Sequence, residues 1–330
     1  MTTPGARPRI GISRCLLGDE VRFDGGHKRD PFLVLTFGRH VEWVPVCPET
    51  EAGMGTPREA IHLVTMSKPG EAVDAVRLVG NRSGEDWTRP MRQWARTRLE
   101  ELAERDLVGF VVKKDSPSCG MERVRLTHLD AGGREPQVSR AGRGLFTGLL
   151  LEAFPNLPVE EEGRLNDPRL RDNFVERVFA YQRLRGLFGG RWTLGQLVRF
   201  HTVHKLQMLA HSRARYTELG RLVAHAKSLP RREIAERYEE LFMSGLARMA
   251  TPGRQADVMQ HMLGHFSEQL TSDARQEVLS LIEDHRTGLV PLVVPLTLIR
   301  HHVRRLGVGY LADQVYLDPH PRELSLRNHV

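Results

Sequence analysis

Arg9-Ile10-Gly11-Ile12-Ser13-Arg14-Cys15 is an apolar run of strand length that stops on a thiol, and the pattern recurs twice. Val41-Glu42-Trp43-Val44-Pro45-Val46 runs into Cys47. Leu107-Val108-Gly109-Phe110-Val111-Val112 leads, through the short loop Lys113-Lys114-Asp115-Ser116-Pro117-Ser118, to Cys119. Buried strands of a parallel sheet read as short apolar runs of this kind, bounded by loop residues. In an open α/β sheet, ligands bind outside the carboxyl ends of the strands. The three cysteines of the chain therefore fall where one site can be built, although they lie far apart in sequence.

Between these strands the first half carries helix-like segments at residues 31–37 and 86–105; the second has Trp87, Met91, Trp94, Leu99 and Leu102 near helical spacing. A further strand is expected at residues 60–64 and a closing helix at residues 144–154. Alternating strands and helices predict an α/β domain of Rossmann-like type with a mostly parallel sheet. Pro155, Pro158 and Glu160-Glu161-Glu162 read as a linker that divides residues 1–157 from residues 158–330. From about residue 167 the texture changes to long amphipathic stretches: 168–186, 193–210, 216–227, 230–249, 254–270, 271–287 and 295–307. Gly, Pro and capping Ser, Thr or Asp separate them, and residues 290–294 form the main β-branched cluster. The second domain is expected to be an all-α helical domain.

The chain has 330 residues, 40% of them hydrophobic and 27% charged, as in globular proteins that fold in water. No run of about eighteen apolar residues is present, so no membrane partner is expected. The first eight residues hold no apolar segment of signal-peptide length. With an odd, small cysteine count, this predicts a cytoplasmic protein rather than a secreted disulfide framework. The net charge is +7. Residues 158–330 carry 25 basic against 20 acidic side chains, and residues 1–157 carry 23 against 21. The excess on the helical half suits a polyanionic partner such as RNA, or a solvated helical surface. Nothing in the sequence calls for an obligate protein partner.

Each cysteine sits among residues that suit a site better than a core. Asp24-Gly25-Gly26-His27-Lys28 follows the first, in a turn that lets backbone approach a ligand. Glu49, Glu51, Arg58 and Glu59 surround the second. Lys113 and Lys114, which favour a thiolate, and Ser116 and Ser118 precede the third. Three unrelated buried thiols are one reading. A structural zinc lacks a fourth ligand and any CxxC pair. A lone nucleophile with His27 as base leaves two thiols unexplained. A 4Fe-4S cluster on three cysteines with one open iron uses all of them, and the missing fourth ligand points to substrate chemistry rather than electron transfer.

Three sequence blocks carry a resemblance. They are Cys15-Leu16-Leu17-Gly18 with Val21-Arg22-Phe23-Asp24-Gly25-Gly26-His27-Lys28, then Cys47-Pro48-Glu49 with Gly53-Met54-Gly55-Thr56-Pro57-Arg58-Glu59, then Ser116-Pro117-Ser118-Cys119-Gly120. Together, over residues 8–155, they resemble the thiouracil desulfidase (TudS-like) family. The second half resembles the YbgA-like helical domain found behind it in longer members, through Phe200-His201-Thr202-Val203-His204-Lys205, Tyr216-Thr217-Glu218-Leu219-Gly220 and Pro291-Leu292-Val293-Val294-Pro295. The resemblance implies a 4Fe-4S cluster on Cys15, Cys47 and Cys119, and non-redox removal of sulfur from a thiolated pyrimidine. In two-domain members it implies 4-thiouridine in tRNA as substrate, with RNA held by the helical domain. Phe23 stands where tyrosine is expected in many relatives.

Within that scheme an open iron acts as a Lewis acid on the thiocarbonyl and water supplies the oxygen. Glu49 is the first choice for the base, with a helix-start or Arg58 salt-bridge role as its plainer reading. Ser116 and Ser118 are candidates to orient base or water, and Asp24 to bind the ring N–H or fix a loop. His27, Lys28, Arg58 and Lys113 are the candidate substrate contacts. In the helical domain His201, His204 and His211 share one side of a helix, as do His261 and His265 on another. Buried, hydrogen-bonded imidazoles are one reading and RNA contact, by His201, Lys205 and His211, another. Residues 183–191, 213–221 and 301–305, with Arg304 and Arg305, are candidate phosphate contacts. The competing functions are turnover of free thiouracil or thiouridine nucleotides, and a non-catalytic iron–sulfur regulator that binds RNA or senses redox state.

Overall fold

The protein is described here by a computed structural model covering residues 7–71, 75–130 and 135–329. The chain divides into two compact units, residues 7–166 and the segment from Asp167 onward. The first unit contains β1 (Arg9–Ser13), β2 (Glu42–Val46), α1 (Pro48–Glu51), β3 (Ile61–Thr65), β4 (Arg77–Gly80), α2 (Thr88–Ala103), β5 (Gly109–Val112), β6 (Val124–His128), β7 (Gln137–Gly142), α3 (Leu145–Ala153) and β8 (Val159–Glu161). Among the described residues the strands form two sheets, in the orders β2-β1-β5-β8 and β4-β3-β6-β7. Every pairing in the first sheet is parallel.

The central pair of that sheet explains its sequence. Gly11 lies opposite Phe110, and a Cβ on Gly11 would stand 2.2 Å from the Phe110 ring. The ring occupies the space a side chain would need. Phe110 meets Phe146 of α3 at 5.9 Å between centroids, and Phe146 meets Trp94 of α2 at 5.4 Å. The two helices thus cover one face of the parallel sheet through aromatic contacts. Ile10, Ile12, Val111 and Val112 are fully buried, as their unbroken apolar run requires.

Three expectations are corrected. The strand expected near residues 60–64 exists but belongs to the second sheet, where β4 and β7 run antiparallel at the edges. In that sheet β6, its parallel partner, alternates buried and exposed residues, and β7, the edge strand beyond it, is mostly exposed, so neither shows an apolar run. Residues 31–37 form a π-type turn over Phe32–Thr36 and a 3₁₀ turn over Phe37–Arg39, with only Leu33 and Phe37 buried. The acidic stretch is no linker: Glu160, Glu161 and Glu162 lie on or beside β8 and are all buried. Glu160 accepts from Arg164 at 2.6 Å, Glu161 accepts from the backbone of Met121 at 2.7 Å, and Glu162 accepts from the backbone of Lys114 at 2.7 Å. Two of these carboxylates therefore hold the ends of the loop that carries Cys119.

The second unit is helical: α4 (Pro168–Phe188), α5 (Leu194–His211), α6 (Arg213–Ala224), α7 (Arg231–Leu246), α8 (Pro252–Gly264), α9 (Ser272–Arg286), α10 (Val293–Leu306) and α11 (Gly309–Ala312). The boundaries follow cap chemistry. Asp167 accepts from the backbone N–H groups of Arg169 and Leu170, Thr193 forms a capping box with Gln196, and Ser212, Thr251 and Thr271 cap the helices after them. Gly307 ends α10 in the left-handed conformation at φ 67°. Met259 and Met262 of α8, Ile282 of α9 and Leu296 and Ile299 of α10 pack into one core. The β-branched residues 290–294 lead into α10 instead of forming a strand.

Candidate functional site

The parallel sheet sets β1 between β2 and β5, so three carboxyl ends lie side by side. Cys15 sits in the 3₁₀ turn after β1, Cys47 caps α1 after β2, and Cys119 lies in the loop after β5. All three thiols are free and buried, and all three line one pocket of about 400 Å³. Burial pushes the Cys15 thiol up to about 12, reinforced by Cys47 and opposed by Lys113 and Arg22. Burial and then Glu49 push the Cys119 thiol up as well, with Cys15 adding to the effect. Among the described residues no three His, Cys, Asp or Glu side chains stand close enough for one metal ion. The three thiols are grouped by the pocket wall they share.

The loops are held from behind. Cys47 N–H donates to Glu51 at 2.8 Å, and Lys28 N–H donates to the Cys15 carbonyl at 2.9 Å. The Cys119 loop rests on the start of α3: Thr147 Oγ1 donates to the Cys119 carbonyl at 2.5 Å, and Phe146 N–H to Ser118 at 3.0 Å. Glycine is required at 144, because a Cβ there would lie 2.6 Å from the Ser118 backbone.

Glu49, on the first turn of α1, is held at both oxygens. Arg58 Nε donates to Oε2 at 3.0 Å, and Ser118 Oγ donates to Oε1 at 2.7 Å. Ser118 Oγ is also 3.0 Å from Ser116 Oγ and 3.6 Å from Cys119 Sγ. The salt bridge and the link to the cysteine loop thus occur together. Arg58, Lys28, Lys113 and Ser116 line the pocket, while Ser118 is fully buried behind it. Lys113 is paired with Glu162.

Asp24 and His27 fall outside the pocket lining. Asp24 is exposed in a turn closed by Gly25 (φ 76°), where it accepts from Gly26 N–H at 3.1 Å and pairs with Arg22 at 3.3 Å. The Gly26 N–H, with Arg22 behind it, holds its carboxyl below the usual range. His27 Nδ1 accepts from Arg29 N–H at 3.2 Å. Both side chains close their own loop. Ser13, Arg22, Phe23 and Lys114, none of them a predicted substrate contact, also line the pocket. Ser13 was hidden as the last residue of a strand; it accepts from Lys113 N–H at 2.9 Å.

In the helical unit the expected RNA contacts at His201 and His211 are enclosed and unavailable to a nucleic acid. His201 Nδ1 lies 3.2 Å from the Tyr238 hydroxyl, and burial lowers its pKa to about 4. His204 Nδ1 faces the Phe200 carbonyl at 2.7 Å, so that nitrogen carries the proton, and Nε2 accepts from Arg183 at 3.2 Å. Burial lowers His204 to about 3. His211 faces the Arg248 carbonyl at 2.6 Å and Glu176 at 3.3 Å. Burial opposes its protonation, but Glu176 outweighs this and raises its pKa. Arg183 is also enclosed, bonding the Pro319 carbonyl at 2.9 Å. Lys205 is partly exposed. Arg304 and Arg305 are exposed on α10, beside Arg300, His301 and Arg322, around an open concavity of about 710 Å³.

Residues 10–162 match the family described as 2-thiouracil desulfurase, and residues 205–321 match the protein family of unknown function DUF1722. The uncharacterized protein YbgA of Escherichia coli (strain K12) is 31% identical over 165 residues, which is 50% of this chain and 98% of that protein. The uncharacterized protein YbbK of Bacillus subtilis (strain 168) is 31% identical over 159 residues, 48% of this chain and 98% of that protein. A solved structure described as the [4Fe-4S]-dependent thiouracil desulfidase TudS is 29% identical, covers 51% of this chain and all of its own, and superposes with a TM-score of 0.38. No helix among the described residues is long and apolar enough to cross a membrane. The chain belongs to the family in which a 2-thiouracil desulfurase domain precedes a YbgA-like DUF1722 domain.

Proposed function

We propose that this protein converts 4-thiouridine in tRNA to uridine with release of sulfide, on a 4Fe-4S cluster held by Cys15, Cys47 and Cys119. The observation that carries the proposal is the convergence of three free thiols on one pocket whose wall also holds Glu49. The donor set fits the group: three sulfur ligands, no mononuclear geometry among the described residues, and no fourth thiol in the chain. When bound, such a cluster supplies a Lewis-acidic iron that polarises the thiocarbonyl.

The protein's own residues then have these tasks. Arg58 pairs with Glu49 and fixes it in place. Glu49 takes a proton from water as the water oxygen bonds to the ring carbon. Ser118, aimed at Glu49, steers the carboxylate, and Ser116 holds Ser118. As the carbon–sulfur bond breaks, the electron pair leaves with sulfur, the new hydroxyl closes to the carbonyl, and its proton and the one on Glu49 both pass to sulfur. Water and thiouridine give uridine and hydrogen sulfide, with no electron gained or lost.

The RNA half of the reading is supported by the exposed arginines of α10 and by the basic excess of residues 158–330. The pocket volume and the Lys28 side chain on its wall suit a phosphorylated nucleoside better than a bare base. The test is anaerobic reconstitution followed by sulfide release from thiolated tRNA, from 4-thiouridine monophosphate and from free thiouracil. Preferred turnover of tRNA is expected. Equal or better turnover of the free base would remove the RNA part. RNA binding without sulfide release from any of the three would leave a non-catalytic iron–sulfur regulator instead.

A further inference from the structure

We propose that Phe23 is the stacking platform for the pyrimidine ring in the cysteine pocket, backed by Arg22; this rests on the thiopyrimidine reading above. Phe23 lines the pocket, yet it stays 39% exposed. A phenylalanine buried in a core removes its whole ring from water, so a ring left open on a pocket wall retains a face for a ligand. The Arg22 guanidinium lies 5.3 Å from the ring centroid. Its charge is in turn tied to Asp24 at 3.3 Å. A cation held against an aromatic ring is the pairing that stacks nucleobases without reading their edges.

The ring is also held in register with the chemistry. Arg58 N–H donates to the Phe23 carbonyl at 2.9 Å, and Arg58 Nη2 donates to the Val21 carbonyl at 3.0 Å. That same carbonyl lies 4.0 Å from Cys47 Sγ. The segment carrying Phe23 is therefore fastened to the ion-pair partner of Glu49 and lies beside one of the three thiols. A pyrimidine lying on Phe23 would be placed by the same bonds that place the carboxylate. Lacking a hydroxyl, Phe23 contributes a face and no proton.

The experiment measures sulfide release from 4-thiouridine monophosphate and, separately, calorimetric binding of the unreactive product uridine monophosphate, with the visible absorption of the reconstituted cluster as a control. Phe23→Ala is expected to raise KM and the uridine monophosphate Kd by about 5- to 150-fold, the range for one lost base–aromatic stack. The kcat is expected to be largely retained, because stacking binds ground and transition states alike. Phe23→Tyr should restore binding, and Phe23→Leu, which keeps apolar bulk without a π face, should not. Unchanged KM and Kd in Phe23→Ala, or rescue by Phe23→Leu as good as by Phe23→Tyr, would overturn the proposal. Absence of sulfide release from the wild-type protein would instead strike the desulfidase reading, and the product titration would still decide the stack.

Discussion

Ser118 Oγ donates to Glu49 Oε1 across 2.7 Å, joining residues 69 positions apart. Glu49 comes from the helix that follows β2 and Ser118 from the loop that follows β5, so the bond spans two of the three cysteine loops. It couples the position of the carboxylate to the position of Cys119, whose sulfur lies 3.6 Å from the same hydroxyl. In the proposed reaction, a base placed this way would move with the Cys119 sulfur.

Glu49→Gln keeps the shape and the Ser118 contact but removes the proton acceptor. A general base contributes about 10²- to 10⁴-fold, so sulfide release should fall by that factor while iron content stays near wild type. Ser118→Ala removes one hydrogen bond to a charged group, worth about 1.5–3 kcal/mol. It should slow turnover by roughly one to two orders of magnitude. Full activity in Glu49→Gln with an intact cluster would remove Glu49 from the mechanism.

Cluster assembly should depend on the backing of the Cys119 loop as well as on the thiols. Replacement of Cys15, Cys47 or Cys119 by Ser is expected to abolish the iron-dependent absorption after reconstitution. Gly144→Ala keeps every thiol, yet its Cβ would meet the Ser118 backbone at 2.6 Å, where no flexible side chain can yield. The loop has to shift, and iron and sulfide content should drop in proportion. Overpacking of this kind costs about 1–3 kcal/mol. Normal iron content in Gly144→Ala would show that the loop adapts freely.

Much of this architecture is legible in the sequence, for physical reasons that also mark where legibility ends. The strands before Cys15 and Cys119 stand out because central parallel strands, buried on both faces, have apolar runs, whereas β2 before Cys47 is an edge strand with exposed Glu42 and Pro45 and is marked less sharply. The helices from residue 168 onward are visible because Asp167, Thr193, Thr251 and Thr271 cap them by local chemistry. β6 and β7 are invisible because Arg125, Gln137 and Arg140 interrupt any apolar pattern, and antiparallel pairing does not need one. Glu160, Glu161 and Glu162 mislead because three consecutive carboxylates read as solvated, whereas each is satisfied by a partner distant in sequence or by Arg164. At the site, Glu49 and Ser116 are readable beside their cysteines. Phe23 and Ser13 become functional candidates only once the pocket wall is seen.

Acid should loosen the helical unit through its neutral histidines. His201 and His204 have folded pKa values lowered from 6.5 to about 4 and about 3. The unfolded chain therefore binds more protons than the folded one between those values, and stability rises with pH across that window. Read downward, stability is lost as pH falls below 6.5, by at most about 1.4 kcal/mol per pH unit for each histidine. Thermal unfolding followed from pH 7 to pH 4 should show a falling Tm. His204→Gln, which keeps a polar side chain but cannot titrate, should flatten part of the slope. An identical slope in that variant would place the acid sensitivity elsewhere.

Binding of tRNA should carry the signature of phosphate contacts made by α10. Arg304 and Arg305 are exposed and have His301, Arg300 and Arg322 as neighbours around one concavity, while Asp318 neutralises part of that charge by pairing with Arg300 at 2.9 Å and Arg322 at 2.6 Å. The arginines that remain free of Asp318 are the ones available to displace counterions from RNA. Arg304→Ala with Arg305→Ala should weaken binding to thiolated and unthiolated tRNA alike, since phosphates carry no base identity. The slope of log K against log salt should fall by roughly one for each arginine removed. Turnover of 4-thiouridine monophosphate should be untouched, because in the proposed reaction the nucleotide binds at the cysteine pocket. A double variant with wild-type affinity and an unchanged salt slope would mean that the RNA, if bound, is held by another surface.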